Sequence, residues 1–183
     1  INQPATGNLG LGTNALNSIS TGDYNTAIGD EAGTRITSGE LNLAVGRGAL
    51  KYMTTSDGNT AVGIGAIGGG VVSGSAGANN TALGYGSLGM AGAGSSGHHN
   101  VGLGKYAGDN ITSGSYNIVI GANEDAPSAT SVGTINVGGR FKYVGGSAGP
   151  SAPYDFPGMQ TSLIIYDSGG GVVKRLYGMY ATS

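Results

Sequence analysis

Ten Asp and Glu residues are the chain's supply of general acids and bases. Hydrolysis of a glycosidic bond usually needs two of them opposed across that bond. The candidates are Asp30 with Glu31, Glu124 with Asp125, and the isolated Asp23, Glu40, Asp57, Asp109, Asp155 and Asp167. Adjacent residues diverge on an extended chain, though carboxylates from different subunits could face each other. A lyase acting on a uronate would instead use Tyr106 beside Lys105, or His98. His98 and His99 are the only histidines. On an extended segment they point to opposite sides and do not share one ion within a subunit, although a threefold axis could gather three copies of one. The strings GIGAIGGG and GLGKYAG lack the GxxxxGK[ST] spacing of a phosphate-cradling loop. No spacing selects a catalytic set, so the reading is of a binding protein with no catalytic residue, cofactor or metal.

The elements that must position these side chains are unusual in composition. Of 183 residues, 39 are glycine, cysteine and tryptophan are absent, and only 10% are charged. Without cysteine there is no disulfide scaffold and no Cys-ligated zinc. Eight Lys and Arg against ten Asp and Glu give no basic footprint for nucleic acid. Glycine is irregularly spaced and prolines number five, which excludes collagen. No apolar run approaches the ~18 residues of a membrane helix, and no secretory signal opens the chain. Leu, Ile, Val and Phe number only 36, so folding requires the small residues to stand in a regular, closely packed array.

A repeat supplies that array. The motif Asn-x-(Ala/Gly)-(Ile/Val/Leu)-Gly starts at Asn8, Asn25, Asn42, Asn59, Asn80, Asn100 and, with Val119 in the small slot, Asn117; NVGG at Asn136 reads as a degraded eighth copy. The seven asparagines are spaced by 17, 17, 17, 21, 20 and 17 residues. Glycine follows four residues after each, as Gly12, Gly29, Gly46, Gly63, Gly84, Gly104 and Gly121. Another precedes most of them by three, and a small residue followed by Leu, Ile or Gly comes seven and eight after. Each repeat therefore reads as two short extended runs separated by glycine turns. Units this short bury nothing alone and must stack. The fold predicted is all-β, a parallel β-roll or β-helix solenoid of seven to eight coils, roughly 35 Å long at ~4.8 Å per coil.

Alternation within the strand bears on assembly. In Asn25-Thr26-Ala27-Ile28-Gly29, Ala27 and Gly29 face one way, Thr26 and Ile28 the other. The small face suits a thin coil interior. Ile28, Val45, Val62, Leu83, Leu103 and Ile120 form an apolar ridge that a second subunit should cover, which predicts an oligomer about an axis. The asparagines can form a hydrogen-bonded ladder through the stack.

The segment NTAIGDEAGTRITSGELNLAVGRGAL, with ITSG again before Asn117, resembles the left-handed parallel β-roll repeats of YadA-like trimeric adhesin heads. It is closer still to the Gly-rich repeats of bacteriophage tail-fibre and receptor-binding proteins. The resemblance spans about residues 7–139. It implies a homotrimer displayed on a virion, or outside a cell, that attaches to a target surface. Adhesin heads repeat at shorter and more uniform intervals, and no anchor follows here. Starting at Ile1 rather than Met, the chain reads as a piece of a longer fibre. The function expected is the distal part of a phage tail fibre, joined to upstream fibre segments and binding a bacterial surface polysaccharide or outer-membrane receptor. An adhesin head and a polysaccharide-degrading tail spike are the alternatives.

Two regions are candidates for the receptor site. The long spacings fall in consecutive coils, so their insertions should protrude from one side of the rod, with Tyr85, Met90, His98 and His99 nearby. After residue 139 the repeat fails, and residues 140–183 hold seven of the twelve aromatics. This segment reads as a C-terminal cap or tip containing a β-hairpin, with Tyr154, Phe156, Tyr177 and Tyr180 available to stack on sugar rings.

Overall fold

The structure is a computed structural model that describes residues 5–68, 77–89 and 97–138, together with the backbone of residues 162–166 and 172–177. Strands and turns make up the described residues, with no helix among them. The chain divides into two compact units, residues 1–140 and 141–183.

In the first unit each repeat contributes one three-residue strand. These are β1 (Leu9–Leu11), β2 (Thr26–Ile28), β3 (Leu43–Val45), β4 (Thr60–Val62), β5 (Thr81–Leu83), β6 (Val101–Leu103), β7 (Ile118–Ile120) and β8 (Ile135–Val137). They pair in chain order, all parallel, into one eight-stranded sheet. The unit is therefore a β-solenoid of about seven turns. The longer repeats do not disturb the register, since Ala61 lies opposite Ala82 and Ala82 opposite Gly102. In the second unit β9 (Ser162–Tyr166) and β10 (Val172–Tyr177) form an antiparallel pair with a register irregularity between Val172 and Lys174.

Two details differ from the sequence reading. The second extended run of each repeat is a turn, because the residue eight after the asparagine is left-handed: φ is 50° at Leu16, 51° at Leu50 and 46° at Ile67 and Leu88. Such a backbone costs an L-residue about 1–2 kcal/mol. Full burial of the side chain, about 1.5–3 kcal/mol for Leu or Ile, offsets it, and all four are buried. The eighth copy is also in a different phase. Asn136 lies opposite Val119 within the strand, and the ladder slot belongs to Thr134, whose N–H and Oγ1 both donate to Asn117 Oδ1, at 3.0 and 2.7 Å. The 17-residue spacing is thus kept to the last strand.

The coil interior is as thin as the small residues allow. Ala27, Ala44, Ala61 and Ala82 are fully buried at the strand centres and face Ala32, Ala49, Ala66 and Ser87 from the turns. Between them lies one larger layer, with Leu16, Leu50, Ile67 and Leu88 supplemented by Ile19, Ile36, Met53 and Ile111. Where the turn has glycine in place of leucine, neighbours fill the space: a Cβ on Gly33 would stand 2.9 Å from Leu16 Cδ2 and 3.0 Å from Ile36 Cδ1.

The asparagines form the expected ladder. Asn25, Asn42, Asn59, Asn80, Asn100 and Asn117 are buried. Each side-chain Oδ1 accepts the next asparagine's backbone N–H, for example 2.9 Å from Asn59 to Asn42 and 3.0 Å from Asn80 to Asn59. The next Nδ2 donates to the same oxygen, at 3.2 Å in both steps. That Nδ2 also reaches a carbonyl, as Asn42 does to Ser56 at 2.9 Å and Asn100 to Gly114 at 2.9 Å. The amide's donors and acceptor are used up between coils, which is why a buried polar residue is tolerated in every turn.

The glycine that closes each strand is fixed by both backbone and space. At Gly46 φ is 123°, a region open to glycine alone, and a Cβ there would stand 2.6 Å from the Gly63 carbonyl oxygen. The same contact with the next coil recurs at Gly12 and Gly29.

Opposite the alanines, the outer face of the sheet is apolar. It carries Leu9, Leu43, Val101, Ile118 and Ile135 along one row and Leu11, Ile28, Val45, Val62, Leu83, Leu103, Ile120 and Val137 along the other, interrupted only by Thr26, Thr60 and Thr81. In the single chain none of these side chains is buried, and Leu11, Leu83 and Ile135 are more than half exposed.

Candidate functional site

The turns that follow the strands carry most of the solenoid's few charges. The residue six after the asparagine is left-handed throughout, and along the stack it reads Asn14, Glu31, Gly48, Gly65, Gly86, Tyr106, Asn123. The residue nine after reads Lys51, Gly68, Gly89, Asp109 over four successive coils. Glycine thus fills both positions in two coils running, with bulky residues at each end. The result is a trough of about 370 Å³ running along the stack from Glu31 to Tyr106 and Asp109. A Cβ on Gly65 would meet nothing within 4 Å, so a side chain there would project into the trough.

Its walls are tyrosines held by cations. Tyr52 lies beneath two of them, with Arg35 Cζ 5.1 Å and Lys51 Nζ 5.6 Å from the ring centroid. At the other end Tyr85 meets Tyr106 edge to face at 5.1 Å, and Lys105 Nζ lies 5.2 Å from the Tyr106 centroid. A hydrogen bond with Tyr85, more than burial, raises the Tyr106 phenol above its ordinary range. Lys51 also pairs with Glu31 at 2.6 Å, and that hydrogen bond holds the ammonium above its usual range. Arg35, Arg47, Lys51 and Lys105 are all the Lys and Arg of residues 1–138. Three of them clamp wall tyrosines, and Arg47 lines the trough with its guanidinium unpaired among the described residues.

One carboxyl pair forms across coils. Asp109 is held above the usual carboxylate range, first by burial and then by a hydrogen bond with Asp125. Of the adjacent pairs considered from sequence, Glu31 is engaged by Lys51, and Glu124 Oε2 accepts from Asn136 Nδ2 at 3.4 Å.

The remaining candidates are scattered. Tyr85 is half exposed on the trough wall. His98 and His99 lie in another turn, the one before the asparagine. His99 is left-handed, with φ 56°, so the two rings do not diverge as on an extended chain, and their centroids are 6.4 Å apart. His98 Nδ1 accepts the Ala78 N–H at 2.9 Å, and His99 stacks on Tyr116 at 4.8 Å. Among the described residues no three metal-ligating side chains cluster. Met90, Tyr154, Phe156 and Tyr180, with both coil insertions, lie outside the described residues, and Tyr177 ends β10 with only its backbone described.

Sequence reading missed the trough itself, along with Arg47, Lys51, Tyr52 and the pairing of Asp109 with Asp125. The signal was the phase of the glycines after the strand, where Gly48, Gly65 and Gly86 align with Glu31 and Tyr106.

No family model matches the chain, and no curated protein or solved structure matches it. The class that fold and site define is architectural: a glycine- and asparagine-rich parallel β-solenoid with an apolar sheet face and a tyrosine-walled trough.

Proposed function

We propose that this chain is the distal part of a bacteriophage tail fibre, a homotrimer at the virion's fibre tip that attaches to a bacterial surface polysaccharide or outer-membrane receptor. The observation that carries this reading is the outer sheet face, two parallel rows of Leu, Ile, Val and Thr without a charge. A water-facing surface of that composition is an interaction surface. Because the repeat gives every copy of the chain the same ridge, self-association about an axis covers it. Three copies then present three identical receptor sites, so attachment gains avidity with no new contact.

Incubating the purified protein with bacterial cells and with their isolated capsule or lipopolysaccharide tests the reading. Retention on the cells with polymer length unchanged is the expected result. Shortened polymer would assign the chain to the depolymerases, and no retention on any cell carrying the receptor classes named would remove the attachment role.

A further inference from the structure

We propose that the trough between Glu31 and Asp109 binds a neutral, linear oligosaccharide lying along the stack. This inference rests on the attachment reading and gives it a site.

Four observations converge on a sugar chain. The cavity, about 370 Å³, falls within the range of specific small-ligand pockets. It crosses four coil spacings, from Glu31 to Tyr106, or about 19 Å at 4.8 Å per strand, which suits an extended chain better than a single ring. Its walls are aromatic, with Tyr52 at one end and Tyr85 with Tyr106 at the other. These side chains stand on thin turns with no core to fix them, yet Arg35, Lys51 and Lys105 hold the rings of Tyr52 and Tyr106. Fixing a ring before the ligand arrives removes part of the ordering cost of binding. Finally, the lining is balanced in charge and in hydrogen bonding: Arg47 and Lys51 donate, while Glu31 and Asp109 accept. A polyanion would meet two carboxylates while Lys51 is already held by Glu31, and an apolar ligand would strand Arg47. A chain of hydroxylated rings satisfies donors, acceptors and aromatic faces together.

The glycines between the walls make room. Gly65 and Gly86 share their left-handed position with Glu31 and Tyr106, so the backbone there accepts side chains. Their absence opens the trough.

The test is an NMR titration of the full chain, labelled at tyrosine, with neutral hexasaccharides of glucose, galactose, mannose and N-acetylglucosamine, and with hexagalacturonate and hexaglutamate as charged controls. At least one neutral hexasaccharide is expected to shift Tyr52, Tyr85 and Tyr106 but not Tyr24 or Tyr116. Tyr85→Ala and Gly65→Gln, the latter filling the trough, should each weaken binding tenfold or more, and both variants should keep the far-UV spectrum of the parent. No shift with any neutral hexasaccharide, a preference for hexagalacturonate or hexaglutamate, or equal binding by Gly65→Gln would overturn the proposal. Cell attachment separates it from the broader reading. Parent protein that attaches to cells but binds no neutral hexasaccharide would leave the attachment role standing and this site discarded.

Discussion

The strand side and the turn side of each coil obey different rules. On the strand side, coils meet through backbone atoms and buried amides, and the same kind of residue returns in nearly every turn: asparagine in the ladder, a small residue inside the strand, glycine at its end. Six and nine residues after the asparagine, side chains meet solvent, and at the first of these positions residue type drifts through Glu31, Gly48, Gly65, Gly86 and Tyr106 without a change of backbone. Where a contact is made by the main chain, sequence is fixed by stacking. Where it is made by side chains, sequence is free for recognition.

Substitutions of similar size on the two sides test this contrast. Gly46→Ala places a Cβ 2.6 Å from the Gly63 carbonyl, and backbone on both sides leaves nothing to yield. Loss of the cooperative thermal transition, more than about 4 kcal/mol, is expected. Gly48→Ala, two residues on, meets only Lys51 Cδ at 3.9 Å and should cost about 1–2 kcal/mol for its left-handed backbone. Equal effects of the two would break the comparison. Asn59→Ala comes next, because it strips the acceptor from the buried N–H and Nδ2 of Asn80. At about 1–3 kcal/mol for each orphaned donor, urea unfolding should show a loss of roughly 2–5 kcal/mol.

Turn-side charges should matter less. Asp109 is raised by burial and by Asp125, so the folded state favours its protonated form and ionising it costs stability. That cost is absent below the ordinary carboxylate range and complete above the raised value. Asp109→Asn should therefore stabilise at neutral pH by less than about 1 kcal/mol, with solvent screening allowed for, and the gain should vanish as pH falls through the carboxylate range. Leu41→Gly is the smallest effect. Leu41 is 62% exposed with φ 58°, so relief of the backbone offsets the little burial lost. A change in melting temperature of a few degrees at most is expected.

The same division explains how much of the molecule was legible in the sequence. Asparagine and glycine at constant phase announced the parallel stack, the ladder and the buried alanine row, because backbone contacts leave one solution per position. The turns hid their geometry. Thirteen non-glycine residues take positive φ among the described residues, and nothing in Ala49-Leu50 by itself distinguishes a left-handed turn from a short strand. Asn136 was read in the wrong phase for a related reason: the ladder slot belongs to Thr134, whose hydroxyl continues the amide ladder. Arg35, Lys51 and Tyr52 look unrelated along the chain and meet only when coils stack at their period. Asp109 and Asp125 likewise influence each other from neighbouring coils, since side-chain contacts in a solenoid run mainly between repeats.

The central claim is that the apolar sheet face is covered by copies of the same chain. Sedimentation equilibrium of the purified protein at micromolar concentration measures this most directly, with Val62→Asp as the partner variant at the middle of the face. A species of three times the 17.8 kDa chain mass, reduced to monomer by Val62→Asp, is the expected result. A wild-type protein that sediments as a stable 17.8 kDa monomer would contradict it.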